Sequence, residues 1–422
     1  MRRSRRKILS AACSGLLAAA LLATGGVPAS AVTTDPAQRG GTLPKAELTA
    51  GLKRITDEGM AGVFAQARAD RAVWNGASGV ADLATDRPMR PDVRHRVGSI
   101  TKTFTATALL QLVGERRVEL DAPAARYLPD LAPAGVTVRM LMNHTSGIGS
   151  YDRVLFPDGY AVEKNRYVTF TPRQLARTGL DMPPTNAPGE KFAYSNTNYV
   201  LVGLIIEKVT GHDATAEITR RVIRPLGLRD TYFPGTSPRI AGPHSEGYVP
   251  WYDGTLADFA EYNMSWAWTA GALVSTADDL NRFYRALLGG RLLRPAQLRE
   301  MQRTVPFDAA YPEAGGYGLA LYWMPTRCGR AWGHDGLVFG YSTISWHSAD
   351  GRRQMTLGEN ITHYAAPGQP NPILEATLDV VNTALCGPAD AARTTAAPAR
   401  VGTTVAPAPG APTLIAPLPG QS

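Results

Sequence analysis

Gly98-Ser99-Ile100-Thr101-Lys102 is the most informative stretch of this chain, because it places a hydroxyl and an amine one helical turn apart. Residues three apart share a face of an α-helix, so the Lys102 amine can lie beside the Ser99 hydroxyl. A neutral amine there can take the serine proton and make the hydroxyl a nucleophile. Backbone N–H groups at a helix start point outward, where they can stabilise an oxyanion.

The residues after this motif predict that its helix is buried. The apolar positions are Phe104, Leu109, Leu110, Leu112 and Val113. Burial disfavours an ammonium group, so it favours the neutral lysine that a base requires. The chain has seven lysines beside 37 arginines, and only Lys7 and Lys102 follow a serine by three residues. Arginine does not release its proton, which makes this lysine informative. The alternative is a buried helix with an incidental serine and a snorkelling lysine.

The first 31 residues have the composition of an export signal. Five basic residues and no acidic residue precede an Ala- and Leu-rich run, and Ala29-Ser30-Ala31 is a small-x-small cleavage site. Ser4-Arg5-Arg6-Lys7 resembles a twin-arginine signal, and Sec export is equally compatible. We therefore predict a signal peptide over 1–31, a linker over 32–42 and a secreted mature chain without a membrane span.

Composition excludes several classes of function. Loss of the leader lowers the formal net charge from +8 to +3, and the chain has no basic stripe interleaved with aromatics, so we expect no nucleic-acid partner. The seven histidines are scattered without metal-ligand spacing, and we predict neither a metal nor a cofactor. Cys328 and Cys386 remain after cleavage, and an even pair in an oxidising compartment predicts one disulfide.

Strand patterns lie near both ends of the mature chain. Residues 63–69, 72–76 and 79–82 predict a meander with turns at Ala69-Asp70-Arg71 and Asn75-Gly76. Residues 339–347 and 354–361 predict a hairpin around Asp350-Gly351.

Helical patterns lie between these strands. The clearest has Thr276 as its N-cap and stops at Gly289. We predict an α/β (α+β) fold for residues 43–386, in which both chain ends build an antiparallel sheet flanked by helices. The sheet lobe covers about 43–120 and 265–386 and the inserted helical lobe about 121–264, with a site in the cleft between them. Residues 387–422 are rich in Pro, Ala and Thr and predict a disordered tail.

Two further fragments carry groups that a Ser-Lys hydrolase needs. Tyr194 can carry a proton if a nearby ammonium lowers its pKa, and Asn196 offers a donor and an acceptor to a peptide-like substrate. In Gly333-His334-Asp335-Gly336, a glycine on an edge strand lets a substrate backbone approach, and His334 can hold a proton beside the phenol. Alone, the first fragment carries almost no signal, and the second is more typical of a turn that enters a strand.

Taken in this order, the three fragments resemble the penicillin-recognising serine hydrolases, which include class C β-lactamases and D-alanyl-D-alanine carboxypeptidases. Within them, the chain is most similar to the carboxypeptidases that actinomycetes secrete. Segments 96–102, 141–147, 186–189, 194–198, 265–272 and 316–319 carry the likeness, which covers roughly residues 43 to 390. The resemblance implies a β-lactamase/transpeptidase-like fold, with Cys328 and Cys386 where such enzymes have a disulfide.

The resemblance also implies a role for each residue. Ser99 would become acylated, while Lys102 and Tyr194 share the proton transfers. The substrate-binding positions it implies are Asn196, Trp266, His334, Gly336 and Leu337. The N–H groups of Ser99 and Leu337 would form the oxyanion hole. Buried packing is an equally good explanation for Trp266.

The sequence departs from that of the carboxypeptidases at two places that bind their substrate. Carboxypeptidase relatives hold a terminal carboxylate with hydroxyls near the third motif and an arginine on the preceding strand. Here Asp335 and Leu337 occupy the hydroxyl positions, and residues 319–324 contain no arginine. An aspartate repels a carboxylate, and the missing arginine removes a charge-assisted hydrogen bond.

We therefore expect a serine hydrolase similar to the secreted D-alanyl-D-alanine carboxypeptidases. The alternatives on the same scaffold are a D-aminopeptidase or amidase, an esterase and a class C-like β-lactamase. A non-catalytic β-lactam sensor, which acylates without turnover, is the alternative from another class. The expected partners are a small peptide, amide, ester or β-lactam and cell-wall peptidoglycan, and we expect a monomer.

Overall fold

The computed structural model describes residues 42–362 and 370–388. These residues fall in one compact unit. The predicted signal peptide over 1–31, the linker except for residue 42, and the tail beyond residue 388 lie outside the described residues. The division into a sheet lobe and a helical lobe stays a prediction.

A nine-stranded antiparallel sheet forms the centre of the described structure, in the order β3-β2-β1-β13-β12-β11-β10-β9-β8. The strands are β1 Gly62–Ala69, β2 Ala72–Asp82, β3 Arg87–Pro88, β4 His95–Arg96, β5 Tyr248–Pro250, β6 Leu256–Asp258, β7 Val274–Ser275, β8 Val305–Pro306, β9 Gly316–Tyr317, β10 Tyr322–Thr326, β11 Gly329–Val338, β12 Tyr341–His347 and β13 Arg353–Glu359. Because β1 pairs with β13, both ends of the described chain build this sheet, as predicted.

The strand register confirms the hairpin prediction and corrects one turn. Strands β12 and β13 pair on either side of the predicted Asp350-Gly351 turn. The turn predicted at Asn75-Gly76 is wrong, because β2 continues through both residues and pairs them with β1. Gln66 of β1 donates a hydrogen bond to the Asn75 side chain at 2.9 Å. A cross-strand contact of this kind outweighs the local tendency of Asn-Gly to turn.

Helices cover the sheet and form the interior beside it. They are α1 Lys45–Asp57, α2 Thr101–Gly114, α3 Val138–Met142, α4 Asp152–Leu155, α5 Gly159–Asn165, α6 Pro172–Leu180, α7 Asn196–Thr210, α8 Ala214–Ile218, α9 Trp268–Gly271, α10 Ala277–Leu288, α11 Pro295–Met301 and α12 Pro372–Cys386. As predicted, α10 follows an N-cap at Thr276, whose hydroxyl accepts from the Asp279 N–H, and ends at Gly289. Among the described helices, none is long and apolar enough to cross a membrane.

Side chains along β1 alternate between the two faces of the sheet, and different helices cover each face. Ala65 belongs to a buried cluster with Leu52 of α1 and Val380 of α12. Gln66 points to the opposite face and accepts a hydrogen bond from Asn281 of α10 at 3.0 Å. Helices α2 and α7 are buried over most of their surface, which matches their continuous apolar sequences.

Candidate active site

Ser99 lies in a 3₁₀ turn, Gly98–Ile100, that leads directly into the buried helix α2. Gly98 has a φ of 51°, in the left-handed region that favours glycine. A Cβ at this position would lie only 2.6 Å from the Leu337 nitrogen. Backbone conformation and the close approach of β11 therefore both require glycine here, and they fix the position of Ser99.

Lys102 is fully buried, and its Nζ lies 2.9 Å from Ser99 Oγ. The same Nζ donates to Asn196 Oδ1 and to the Ala270 carbonyl oxygen, each at 2.7 Å. Burial lowers the pKa of Lys102 from 10.5 to about 7, while the carboxylates of Asp152 and Asp335 oppose that change. A neutral amine keeps two N–H donors for Asn196 and Ala270, so its lone pair can accept the Ser99 proton.

Tyr194 approaches the same hydroxyl, because its OH donates to Ser99 Oγ at 2.7 Å. Lys102 Nζ lies 4.9 Å from the centre of the Tyr194 ring. The sequence predicts a proton carrier here only if a nearby ammonium lowers the pKa of this phenol. Burial instead raises the pKa of Tyr194 well above its usual value, although the hydrogen bond to Ser99 opposes the rise. The phenol therefore keeps its proton at neutral pH and can act as a proton donor.

Asn196 connects Lys102 to the buried carboxylate of Asp152, a residue that no sequence motif predicted. Its Oδ1 accepts from Lys102, and its Nδ2 donates to Asp152 Oδ1 at 3.0 Å. Asp152 is fully buried and also accepts from the Ser150 hydroxyl. The predicted substrate ligand Asn196 thus already binds two protein groups. We call Ser99, Lys102, Asn196 and Asp152 the lysine network.

His334 is buried in β11 and hydrogen-bonded on both ring nitrogens. Nε2 lies 2.8 Å from the Tyr317 hydroxyl, and Nδ1 lies 2.5 Å from the Asp335 carbonyl oxygen. Burial and the nearby Lys102 lower the pKa of His334 to about 3, so the imidazole is neutral. The phenol beside His334 is therefore Tyr317, whereas the sequence motifs predicted Tyr194.

Residues 334–338 of β11 form what we call the open edge. Strand β10 pairs with β11 only over residues 329–333, and the open edge pairs with β12 alone among the described strands. A Cβ on Gly336 would lie 1.9 Å from the Val97 carbonyl oxygen and 2.9 Å from the Ser99 nitrogen. The segments that carry the Ser99 and Leu337 N–H groups are therefore in direct contact. This close approach gives Gly336 a structural requirement for glycine.

Asp335 projects from the open edge with 33% of its side chain exposed. Its Oδ1 accepts from the Tyr322 hydroxyl at 2.7 Å. Burial raises the pKa of the Asp335 carboxyl, and the hydrogen bond from Tyr322 and the nearby Lys102 oppose this rise.

Trp266 packs inside an aromatic cluster. It is 5% exposed, and its ring centre lies 5.0 Å from that of Phe156 and 5.1 Å from that of Phe339. These contacts favour the packing explanation for Trp266 over a place on the wall of an open cleft.

Cys328 and Cys386 lie next to each other, with their Cα atoms 5.5 Å apart. A disulfide spans this separation. It would join the turn between β10 and β11 to the end of α12, and it stays a prediction.

The chain is similar to known proteins in both sequence and structure. Residues 50–376 match the family model described as Beta-lactamase. The solved D-stereospecific amidohydrolase from Streptomyces sp. is similar, with a TM-score of 0.73 and 37% identity, over 82% of this chain and 99% of that chain.

Two curated relatives match over part of their length. Esterase EstB of Burkholderia gladioli is 33% identical over 229 residues, which are 49% of this chain and 57% of the esterase. A D-aminopeptidase of Brucella anthropi is 30% identical over 315 residues, which are 70% of this chain and 55% of that enzyme. The chain therefore spans less than two thirds of the length of these curated relatives.

Proposed function

From the premise that this chain belongs to the Beta-lactamase family of serine hydrolases, we propose that it hydrolyses small D-aminoacyl amides and peptides through an acyl-enzyme on Ser99. The observation that carries this proposal is that Ser99 Oγ is hydrogen-bonded to both Lys102 Nζ and Tyr194 OH. A hydroxyl placed between a neutral amine and a protonated phenol has a base and an acid in reach.

Acylation begins when the neutral Lys102 amine accepts the proton of Ser99. Oγ then forms a bond to the carbonyl carbon, and the carbonyl electrons move to oxygen, where the N–H groups of Ser99 and Leu337 stabilise the charge. Collapse of this tetrahedral intermediate breaks the C–N bond. Tyr194 donates its proton to the leaving nitrogen, and the proton held by Lys102 replaces it. An amine leaves, and Ser99 carries an ester.

Deacylation uses the same groups in reverse order. Lys102, which is neutral again after acylation, accepts a proton from water while the water oxygen attacks the ester carbonyl. The bond from the acyl carbon to Oγ breaks, and the proton returns to Ser99. The product is a carboxylic acid and the free enzyme.

The relatives and Asp335 both favour an amide with a free amine over the D-alanyl-D-alanine peptide expected from the sequence. Two relatives, a D-aminopeptidase and a D-stereospecific amidohydrolase, support a substrate that is an amide with a free amine. A terminal carboxylate would lie near the partly exposed Asp335, which repels it. Esterase activity is the second candidate, because Esterase EstB is 33% identical and an ester differs in its leaving group alone.

The test compares hydrolysis of the D- and L-phenylalanine p-nitroanilides by the native protein and by Ser99→Ala. We expect a preference for the D-anilide, and a fall of about 1,000-fold or more in kcat for Ser99→Ala. Ser237→Ala, which changes an exposed serine, is the matched control and should keep native kinetics. Activity that survives in Ser99→Ala would refute the mechanism. Cleavage of D-alanyl-D-alanine peptides alone would favour the carboxypeptidase instead.

We also propose export of the protein with cleavage after Ala31, and a monomeric mature chain. The leader composition supports the first proposal. N-terminal sequencing of protein from the culture medium should begin at Val32, and light scattering should give the monomer mass. Protein that is retained in the cell with residues 1–31 intact would contradict the export proposal.

A further inference from the structure

Asp335 lies on the strand that packs against Ser99, and this position suggests a task for its carboxylate. Asp335 precedes Gly336, the residue whose backbone packs against Ser99, and it lies two residues before Leu337 on the same strand. Side chains two residues apart on a strand share a face, with a spacing of ~6.6 Å. If the Leu337 N–H binds the scissile carbonyl oxygen, the carboxylate lies within reach of a group on the neighbouring substrate carbon.

The charge of Asp335 has no stable counter-ion among the described residues. Its Oδ1 accepts from Tyr322 and lies 3.5 Å from Nδ1 of His334. His334 is neutral, because its pKa is about 3. Lys102 is the other cationic group near this carboxylate, and burial lowers its pKa to about 7. A partly exposed carboxylate therefore lies near Lys102 without a permanent cation among the described residues.

We propose that Asp335 binds the α-ammonium group of the substrate and thereby determines specificity for amides that have a free α-amine. The inference rests on the proposed function and names the substrate class of the same site. The α-nitrogen is two bonds from the scissile carbonyl carbon, and a charge-assisted hydrogen bond of ~2.8 Å closes the remaining gap to the carboxylate. Substrates with a carboxylate at this place are repelled.

The test compares two anilides that differ only in the α-amine: D-phenylalanine p-nitroanilide and 3-phenylpropanoic acid p-nitroanilide. For the native protein, we expect kcat/KM to favour the amine by about tenfold or more. In Asp335→Asn, this ratio should fall by about tenfold or more, mainly through KM of the amine substrate. Asn is isosteric with Asp and keeps an acceptor for Tyr322. Asp253→Asn removes an exposed charge and is the matched control, with a native ratio expected.

A second measurement needs no variant. D-phenylalaninol and 3-phenylpropan-1-ol have no scissile bond and differ by the same amine. As competitive inhibitors of the native protein, the amine compound should bind about tenfold more tightly. Equal inhibition by the two alcohols would overturn the proposal.

The outcomes separate this inference from the proposed function. A ratio that favours the amine in the native protein but does not change in Asp335→Asn overturns the assignment to Asp335. The same holds if the native protein cleaves both anilides equally or prefers the one without the amine, and in each case the proposed acyl-enzyme chemistry stands. If the native protein cleaves neither anilide, the proposed function fails and the inference fails with it.

Discussion

The lysine network and the open edge lie side by side, yet their polar groups are held in different ways. In the lysine network, Lys102 and Asp152 are fully buried, and Asn196 hydrogen-bonds to both of them. At the open edge, Asp335 accepts a hydrogen bond from Tyr322, and 33% of its side chain is exposed. A buried, hydrogen-bonded network specifies one geometry, whereas a partly exposed group can exchange protein contacts for ligand contacts.

This difference in burial assigns catalysis to the lysine network and substrate specificity to the open edge. The groups of the lysine network are buried and hydrogen-bonded to one another and to Ser99, so the network can determine how a bond is broken. At the open edge, the Leu337 backbone and the Asp335 carboxylate can bind the substrate. We therefore expect changes in the lysine network to act on kcat, and changes at the open edge to act on the choice of substrate.

The largest expected effect is on the lysine network. Lys102→Met removes the base while it keeps an unbranched apolar stem, so kcat for D-phenylalanine p-nitroanilide should fall by about 1,000-fold. Lys164→Met changes an exposed lysine on α5 and is the matched control. Steady-state kinetics and a thermal melt of each variant check the expectation. Hydrolysis by Lys102→Met at more than about a tenth of the native rate would show that another group takes the Ser99 proton.

A change far from both regions should affect stability alone. Cys328 and Cys386 are 58 residues apart in sequence, and a disulfide across such a loop contributes about 4 kcal/mol to the free energy of unfolding in the chain-entropy model. The double variant Cys328→Ser, Cys386→Ser should lose most of that free energy in denaturant unfolding. The ratio of rates on the two anilides should not change. A changed ratio would mean that the start of β11 needs this link to hold the open edge.

The smallest expected effect concerns the pKa of the base. The Lys102 amine is active when neutral, so kcat/KM of the native protein should rise with pH through an apparent pKa of about 7. The Asp152 carboxylate favours the charged form of Lys102, and Asp152→Asn should therefore move this limb to lower pH. We also expect kcat to fall by about tenfold, because Asn196 is less firmly oriented.

Glu359→Gln is the matched control for Asp152→Asn. Glu359 is a buried carboxylate on β13 that accepts from Thr377, outside the lysine network. Its variant should keep the native pH limb for kcat/KM. A limb that does not move in Asp152→Asn, or that moves to higher pH, would refute the role given to Asp152.

Sequence patterns predicted local elements and the spacing of the reacting groups well. Helix α10 begins after Thr276 and ends at Gly289, where caps make the boundary a local property. Ser99 and Lys102 are also a local pair, because one helical turn sets their separation. The prediction of a turn at Asn75-Gly76 was wrong, because these residues pair with β1 and a local pattern does not report such a long-range contact.

The remaining features of the site depend on contacts between distant segments. Asp152 reaches Asn196 across 44 residues of sequence, and no local pattern marks it. His334 binds Tyr317 because β9, β10 and β11 are neighbours in the sheet. The pKa of Tyr194 depends on burial by the whole fold, which explains why its direction was not predicted.

The central claim is that Ser99 carries the acyl group, and intact mass measured during turnover tests it most directly. Native protein mixed with D-phenylalanine p-nitrophenyl ester would be quenched in acid after milliseconds to seconds and analysed beside Ser99→Ala. We expect the native mass to rise by one phenylalanyl group, with the label on the peptide that contains Ser99, and then to return to its starting value as the substrate is consumed. A label on another residue, or an equal label on Ser99→Ala, would contradict the claim.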